Sequence, residues 1–238
     1  MKNSILLMLI LLILSTQTSF TQRLKKPIDY RFQKGLKGFQ NIIMPNIKFP
    51  LSSLENGEVG ISITRISISP AGKIVDTKII NSIDSGIDNE ALRVIKLTSD
   101  KWIPCDTIIH NQVFYVQLIF SILGYQASQC DSKLPEFRRL FLDPVMITGI
   151  KGNKSTTKFF IDQELADKTN SLLDAHNYNE ALPFVNELIK RDPFNEQLYK
   201  VRILINSNLN RPDQLEEDKN RIANFAEGLS LDRILQHN

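Results

Sequence analysis

The chain has 238 residues, of which 42% are hydrophobic and 23% are charged, and its formal net charge is +3. This composition excludes a collagen-like or wholly disordered protein, because enough apolar residues are present to fold around cores. The small net charge gives no indication of nucleic-acid binding, which usually goes with a strongly basic domain.

An unbroken apolar run from Ile5 to Leu14 lies near the N-terminus, directly after a short stretch that contains Lys2. Small and polar residues follow the run. This order is typical of a secretory signal peptide. Such a run rises only about 15 Å as a helix, whereas a membrane-spanning helix needs about 20 apolar residues. We therefore expect residues 1–22 to be a cleaved signal peptide that leaves no transmembrane span, with an uncleaved short anchor as the alternative.

Export affects the interpretation of the two cysteines, Cys105 and Cys130. Disulfides form and persist in oxidising compartments, so export favours pairing of the two thiols. The bridge would close a loop of about 25 residues and would stabilise the fold by roughly 3 kcal/mol. The alternative is that both are separate, small buried residues.

Charge divides the mature chain into three parts. The net charge is +6 over residues 23–48, +1 over residues 49–160 and −5 over residues 161–238. The basic part predicts an N-terminal arm, residues 23–44, that could contact an anionic lipid, a glycan or an acidic partner. The simpler interpretation is a solvated lead-in to the first domain, whose aromatic residues, such as Phe32, could pack against that domain.

Residues 45–126 are predicted to form an α+β domain with the element order β-β-α-β. Two isoleucine-rich stretches, Glu58 to Ser69 and Lys73 to Asn81, predict strands joined by a Pro- and Gly-containing turn as a hairpin. A helix is expected to begin after the N-cap Asp88, and the alternating run from Gln112 to Ile122 predicts a last strand. A helix on one face of such a sheet buries a shared core.

A series of short motifs runs through this domain in a fixed order before the final strand: Phe49-Pro50, Asn56-Gly57, Gly60, Gly72, Ile87-Asp88, Ala91-Leu92 and Trp102-x-Pro104. In order and spacing they resemble the TonB C-terminal domain family over about residues 45–123. The sequence departs from the family pattern at Ser62 and Thr64, where apolar residues are usual, and at Pro70-Ala71, where an acidic turn is usual.

The resemblance implies a non-catalytic, protein-binding module. Such domains recognise an extended peptide of an outer-membrane receptor by strand addition, in which the partner pairs with the free backbone groups of an edge strand. We take the last strand as that edge, with these candidate binding residues: Gln112, Val113, Tyr115, Gln117 and Ile119. The alternatives are that the protein's own chain covers this strand, or that it pairs in a homodimer. We do not expect a complete energy transducer, which would also need a spanning helix and a long Pro-rich spacer.

The rest of the chain is predicted to be a connector, residues 127–159, followed by an all-α region, residues 160–238. Within the connector, Val145-Met146-Ile147 has the composition of a short strand. In the last region the apolar period becomes helical.

The helical region resembles a tetratricopeptide repeat. Tyr178, Ala181 and Pro193 match the aromatic, small and proline positions of one repeat, and a degenerate second unit begins near Glu196. Because about three units are needed for independent stability, this helical hairpin region must lean on the preceding domain or on a partner. The alternative is a plain helical bundle without a ligand groove.

No motif for catalysis or metal binding is found in the sequence. The three histidines, His110, His176 and His237, are far apart and have no partners at metal-ligand spacing. Phosphate loops and nucleophile elbows are absent as well. We therefore expect no cofactor and no metal, and we predict an exported interaction protein of the Gram-negative periplasm or cell envelope, with an envelope or outer-membrane protein as partner. The alternatives are a self-assembling structural envelope protein, joined through the edge strand as a homo-oligomer, and an enzyme of unrecognised type.

Overall fold

The computed structural model describes residues 26–125, 140–150 and 159–227, with side chains as far as residue 223. The predicted signal peptide and Cys130 lie outside the described residues. The elements in chain order are α1 (Ile28–Arg31), α2 (Gly35–Asn46), α3 (Leu51–Asn56), β1 (Gly60–Ile68), β2 (Ile74–Asn81), α4 (Ser85–Lys96), β3 (Gln112–Ile122), β4 (Val145–Gly149), α5 (Asp162–Asp174), α6 (Tyr178–Arg191), α7 (Glu196–Asn208) and α8 (Pro212–Glu227). Among these helices none has the length and apolar character needed to cross a bilayer.

The strands form one mixed sheet in the order β2-β1-β3-β4. Strand β1 pairs antiparallel with both β2 and β3, whereas β4 runs parallel to β3. The predicted α+β class is confirmed, and the sheet has a fourth strand within the stretch predicted as a connector. Because β1 is central and covered on both faces, almost all of its side chains are buried, which explains its interrupted alternation.

The main core lies between one face of the sheet and the helices α1, α2 and α4. Its large members include Phe32, directly after α1; Leu36, Phe39, Ile43, Ile87 and Ile95, from the helices; and Ile66, Phe114, Leu118 and Phe120, from the sheet. An edge-to-face aromatic contact joins Phe32 and Trp102, with ring centroids 5.0 Å apart. This face carries most of the apolar burial of the domain.

The segment predicted as a basic arm is part of this core over the residues that the structure describes. Arg31 is only 2% exposed. Its guanidinium donates hydrogen bonds to the carbonyl oxygen of Ser69 at 2.7 Å, the carbonyl oxygen of Ile103 at 3.0 Å and Oε1 of Gln112 at 3.2 Å. This basic residue therefore joins the ends of β1 and β3 and does not offer a surface charge. The prediction of a basic arm is therefore corrected: the apolar residues of α1 and α2 pack into the main core, and this packing determines where the two helices lie.

The start of α4 also differs from the prediction. The N-cap is Asp84, whose Oδ1 accepts from the Ile87 N–H at 2.7 Å, and Asp88 lies within the first turn. The second oxygen of Asp84 accepts from Ser53 Oγ at 2.7 Å, which ties α3 to α4. Burial raises the pKa of the Asp88 carboxyl, although a hydrogen bond from Ser82 opposes this shift. Asp84 serves as the cap because its backbone is extended, as a capping residue requires.

The helical region packs against the second face of the sheet. Phe194, in the turn between α6 and α7, joins a cluster with Ile61, Ile63, Ile80, Tyr115, Ile119 and Phe141. Lys190 forms an ion pair with Glu58 at 2.7 Å, and its carbonyl oxygen accepts from Asn81 Nδ2 at 3.1 Å. The helical region thus leans on the sheet domain. Helices α5 to α8 follow as predicted, and the finer tetratricopeptide resemblance stays a prediction.

Docking of the helical region depends on a glycine. Gly60 has a φ of +144°, and a Cβ there would lie 2.9 Å from the carbonyl oxygen of Lys190. We expect Gly60→Ala to destabilise the docked state by about 1–3 kcal/mol, from backbone strain and from this close approach. Hydrogen exchange around Phe194 would measure the loosening.

Gly124 provides the matched control for this prediction. Its φ is +92°, but no atom of the described residues lies within 4 Å of the Cβ position. The Gly124→Ala variant therefore has a similar backbone cost without the contact to α6. Equal exchange around Phe194 in the two variants would contradict the proposed role of Gly60 in docking.

Candidate functional site

Strand β3, predicted as the free edge, is paired on both sides. Its residues Leu118 to Ile122 pair with β4, and before β4 begins the Tyr115 N–H donates to the carbonyl oxygen of Leu140 at 2.9 Å. In turn, the Leu142 N–H donates a hydrogen bond to the carbonyl oxygen of Tyr115 at 2.9 Å. The expectation of an open edge at β3 is therefore corrected: the protein's own chain, residues 140–149, covers it.

The five candidate binding residues lie in the interior of the sheet or at its rim. Tyr115, Gln117 and Ile119 are buried on the second face, where the Tyr115 ring stacks on Phe141 with centroids 5.0 Å apart. Oε1 of Gln117 has no hydrogen-bond partner within the described part of the chain. Gln112 and Val113 are half-buried, and Gln112 accepts from Arg31. The structure brings all five onto one strand, but it does not expose them as a binding row.

The segment that covers β3 is held by several contacts. Lys26 Nζ forms an ion pair with Asp143 at 2.5 Å and donates to the carbonyl oxygen of Phe141 at 3.1 Å. The side chains of Leu142 and Val145 belong to the main core. Since displacing this segment would expose both side chains, β3 is not readily available to a partner.

The outer side of β4 carries open backbone groups at Met146 and Thr148. The N–H of Leu123, just after β3, donates to the carbonyl oxygen of Gly149 at 2.8 Å, so Gly149 faces β3. Because backbone groups alternate along a strand, Ile147 also faces β3, and Met146 and Thr148 direct their N–H and C=O groups away from the sheet. No strand among the described residues lies beyond β4. This edge therefore has donors and acceptors to offer.

The side chains of β4 itself are uncharged, and those of Met146 and Thr148 are exposed. Strand β4 has no charged residue; Met146 is 42% exposed, and Ile150, directly after the strand, is 73% exposed. Gly149 packs against Leu54 and Phe49. Leu51 is exposed three residues before Leu54 on α3, so it lies on nearly the same side of that helix. The edge is therefore bordered by apolar surface.

The opposite edge, on β2, is different. Register shifts against β1 leave Val75 and Ile80 without direct partners, so β2 is bulged at both positions. Asp76 and Lys78 stand between the bulges and are exposed. Bulges and charged side chains on an edge strand oppose unselective pairing. Of the two edges, β4 is the one without such protection.

The described residues provide little that suggests catalysis. No group of three or more His, Cys, Asp and Glu side chains in the described part of the chain could hold a metal ion. A cavity of about 200 Å³ lies between α6, α7 and α8, and its Arg202 and Asp218 pair with each other at 2.7 Å. The described residues that line this cavity include no His, Cys or Ser.

The thiol predicted to pair with Cys130 lies on the turn before β3. Cys105 Sγ is 3.2 Å from Oγ1 of Thr107, and this contact lowers the pKa of the thiol. Its pairing with Cys130 stays a prediction.

Comparison with known families identifies a match to part of the chain. Residues 45–120 match the model of the Gram-negative bacterial TonB protein C-terminal family. No curated protein and no solved structure is significantly similar to the chain. The match runs from the end of α2 to within β3, and it indicates a protein-interaction module of the Gram-negative envelope. Strand β4 and the four C-terminal helices lie outside the matched stretch.

Sequence reasoning did not single out Met146 and Thr148, whose backbone groups lie on the outer side of β4. The composition of Val145-Met146-Ile147 did predict a short strand there. The sequence did not indicate which strand this one pairs with, because a parallel partner that is distant in the sequence leaves no local pattern. Among the described residues the edge of the sheet on this side consequently lies one strand further out than expected.

Proposed function

We propose that the protein is an exported, non-catalytic interaction protein of the periplasm or cell envelope that binds an extended segment of a protein partner by strand addition at β4. The family match supports a function in protein interaction, and the order of the strands in the sheet supports β4 as the binding edge. The observation that carries the proposal is the open, uncharged outer edge of β4, with the backbone groups of Met146 and Thr148 directed away from the sheet. The five candidate residues of β3 belong to the strand that pairs with the inner side of β4.

The chemistry of the edge indicates the kind of segment that it binds. Main-chain hydrogen bonds supply affinity in strand addition, and side chains at alternate positions supply specificity. Here the neighbouring side chains are apolar: Met146 on one face of the sheet, and Phe49, Leu51 and Leu54 near the other. A partner segment with apolar or β-branched residues at alternate positions would bury this surface. An outer-membrane or other envelope protein is the expected source of the segment.

A pair of substitutions at Met146 tests the proposal. In Met146→Pro the outward N–H is lost and the proline ring occupies the space beside the edge, whereas the ladder to β3 does not use this N–H. Met146→Ala also removes the side chain but keeps the N–H. We expect cross-linking in the native envelope, followed by mass spectrometry, to identify a partner whose recovery falls at least tenfold with Met146→Pro and much less with Met146→Ala.

Circular dichroism and unfolding of both variants would establish that the sheet is intact. If the proline variant is folded and captures every partner as well as the alanine variant does, strand addition at β4 is wrong. A partner lost equally in both variants would also contradict the proposal, because binding would then depend on the side chain and not on the backbone.

A further inference from the structure

No strand of the described residues lies beyond β2, so its outer edge is a second open edge, and it carries a charge pattern that β4 lacks. The helical region covers its end at Ile80 and Asn81, while Val75 to Lys78 are exposed. Between the two bulges the regular stretch of β2 runs from Asp76 to Ile79. This short stretch is open to a partner on one side only.

Within this stretch Thr77 directs its backbone groups outward. The Ser69 N–H donates to the carbonyl oxygen of Lys73 at 2.8 Å, so Ser69 faces β2. Alternation along β1 means that Arg65 also faces β2 and exchanges backbone bonds with its partner Lys78. The backbone N–H and C=O of Thr77, one residue earlier, are therefore free for a strand beyond β2.

The sequence around Thr77 is complementary to itself in one register. If a second copy adds its β2 antiparallel about a two-fold axis through Thr77, Asp76 of each copy lies opposite Lys78 of the other. The two Thr77 residues then exchange backbone hydrogen bonds. When two side chains of unlike charge face each other across two antiparallel strands, they stabilise the pairing of those strands.

Neighbouring registers are disfavoured by the same charges. Moving the axis by one residue toward the start of β2 places Asp76 opposite Asp76 of the second copy. Moving it by one residue the other way places Lys78 opposite Lys78. Like charges directly opposite each other are destabilising, so the pattern both selects one register and rejects most other strands.

The arrangement of charges within one copy favours the addition of an acidic side chain from a second copy. Lys78 lies directly opposite Arg65 on β1, so two cations are adjacent on the second face. The acid of the same strand, Asp76, forms an ion pair with Arg65. A second Asp76, supplied by another copy, would give Lys78 its own counter-charge.

We propose that the protein forms a two-fold homodimer through β2, with Thr77 at the axis and two Asp76–Lys78 pairs beside it. The dimer is a continuous eight-stranded sheet, and its outer edges are the two β4 strands. This proposal does not depend on partner binding at β4. If both hold, the dimer presents two identical binding edges, and a partner with two segments gains avidity.

A charge exchange between two chains gives a sharp test with the mature full-length protein. Asp76→Lys produces a chain with two lysines on the edge, and Lys78→Asp produces a chain with two aspartates. We expect the wild type to show a reversible monomer–dimer equilibrium in sedimentation equilibrium. Each variant alone should dimerise at least tenfold more weakly, and an equimolar mixture should form a heterodimer that restores the wild-type association.

Several results would overturn the proposal. One is a wild type that stays monomeric at every concentration. Another is a mixture that associates no better than the separate variants while both remain folded. A dimer unaffected by the charge variants but lost in Met146→Pro would place self-association at β4 instead. That last outcome would leave strand addition at β4 intact and would show that the second copy is its partner.

Discussion

Replacing Trp102 with alanine is expected to destabilise the sheet domain by about 3–5 kcal/mol, the range typical of a large aromatic side chain removed from a core. The side chain is 4% exposed, and its ring lies 5.0 Å from Phe32 and 5.2 Å from Phe114 between centroids. It therefore joins the N-terminal helices to the sheet. Because Trp102 is the sole tryptophan, urea unfolding should be followed by circular dichroism.

Ile109→Ala is the control for this expectation. Ile109 is apolar and close in sequence, but it is 82% exposed, so its truncation should change the free energy of unfolding by no more than about 0.5 kcal/mol. A loss for Trp102→Ala as small as that for Ile109→Ala would show that the helices α1 and α2 are not held by this aromatic cluster.

The second large effect is expected in the helical region, at Asp218. Its side chain is 1% exposed and accepts two hydrogen bonds from Arg202, at 2.9 and 2.7 Å. Burial alone would lower the pKa of Arg202, but the hydrogen bonds that Arg202 donates to Asp218 outweigh this effect and raise the pKa. Asp218→Ala would leave a buried guanidinium without its counter-charge, and we expect a loss of about 3–5 kcal/mol in unfolding free energy.

Two further variants separate charge from packing at this position. The double variant Arg202→Met, Asp218→Leu replaces the pair with apolar side chains, and it should recover most of the loss. Glu216→Ala, on the exposed side of the same helix, should be close to neutral, because surface ion pairs contribute little. If Asp218→Ala proves as mild as Glu216→Ala, the pair does not hold α7 against α8.

The sequence predicted the strands of the matched domain well, because each has a local cause. The alternating run of β3 and the Ile-rich hairpin of β1 and β2 bury apolar residues at the period of a strand, and the structure has all three. The helix α4 was also expected, but its cap was placed at Asp88 and not at Asp84. Both are aspartates ahead of apolar residues, and only the extended backbone at Asp84 distinguishes them.

The neighbours of each strand could not be predicted in the same way. The alternation of β3 identifies two faces, but it does not say what covers them. Tyr115, Gln117 and Ile119 were predicted to bind a partner, but the structure buries all three on the face that contacts Phe141 and the helical region. These contacts join residues far apart in the chain, so no local pattern encodes them. The matched family model ends before β4 and gives no indication of them either.

Hydrogen exchange of the β4 amides in the complex tests the central proposal most directly. Once cross-linking has identified the partner, exchange at Met146 and Thr148 should be measured with the partner at saturation and without it. Strand addition predicts that both N–H groups become hydrogen-bonded and that their exchange slows at least tenfold. Unchanged exchange at both amides in the saturated complex would contradict strand addition at β4.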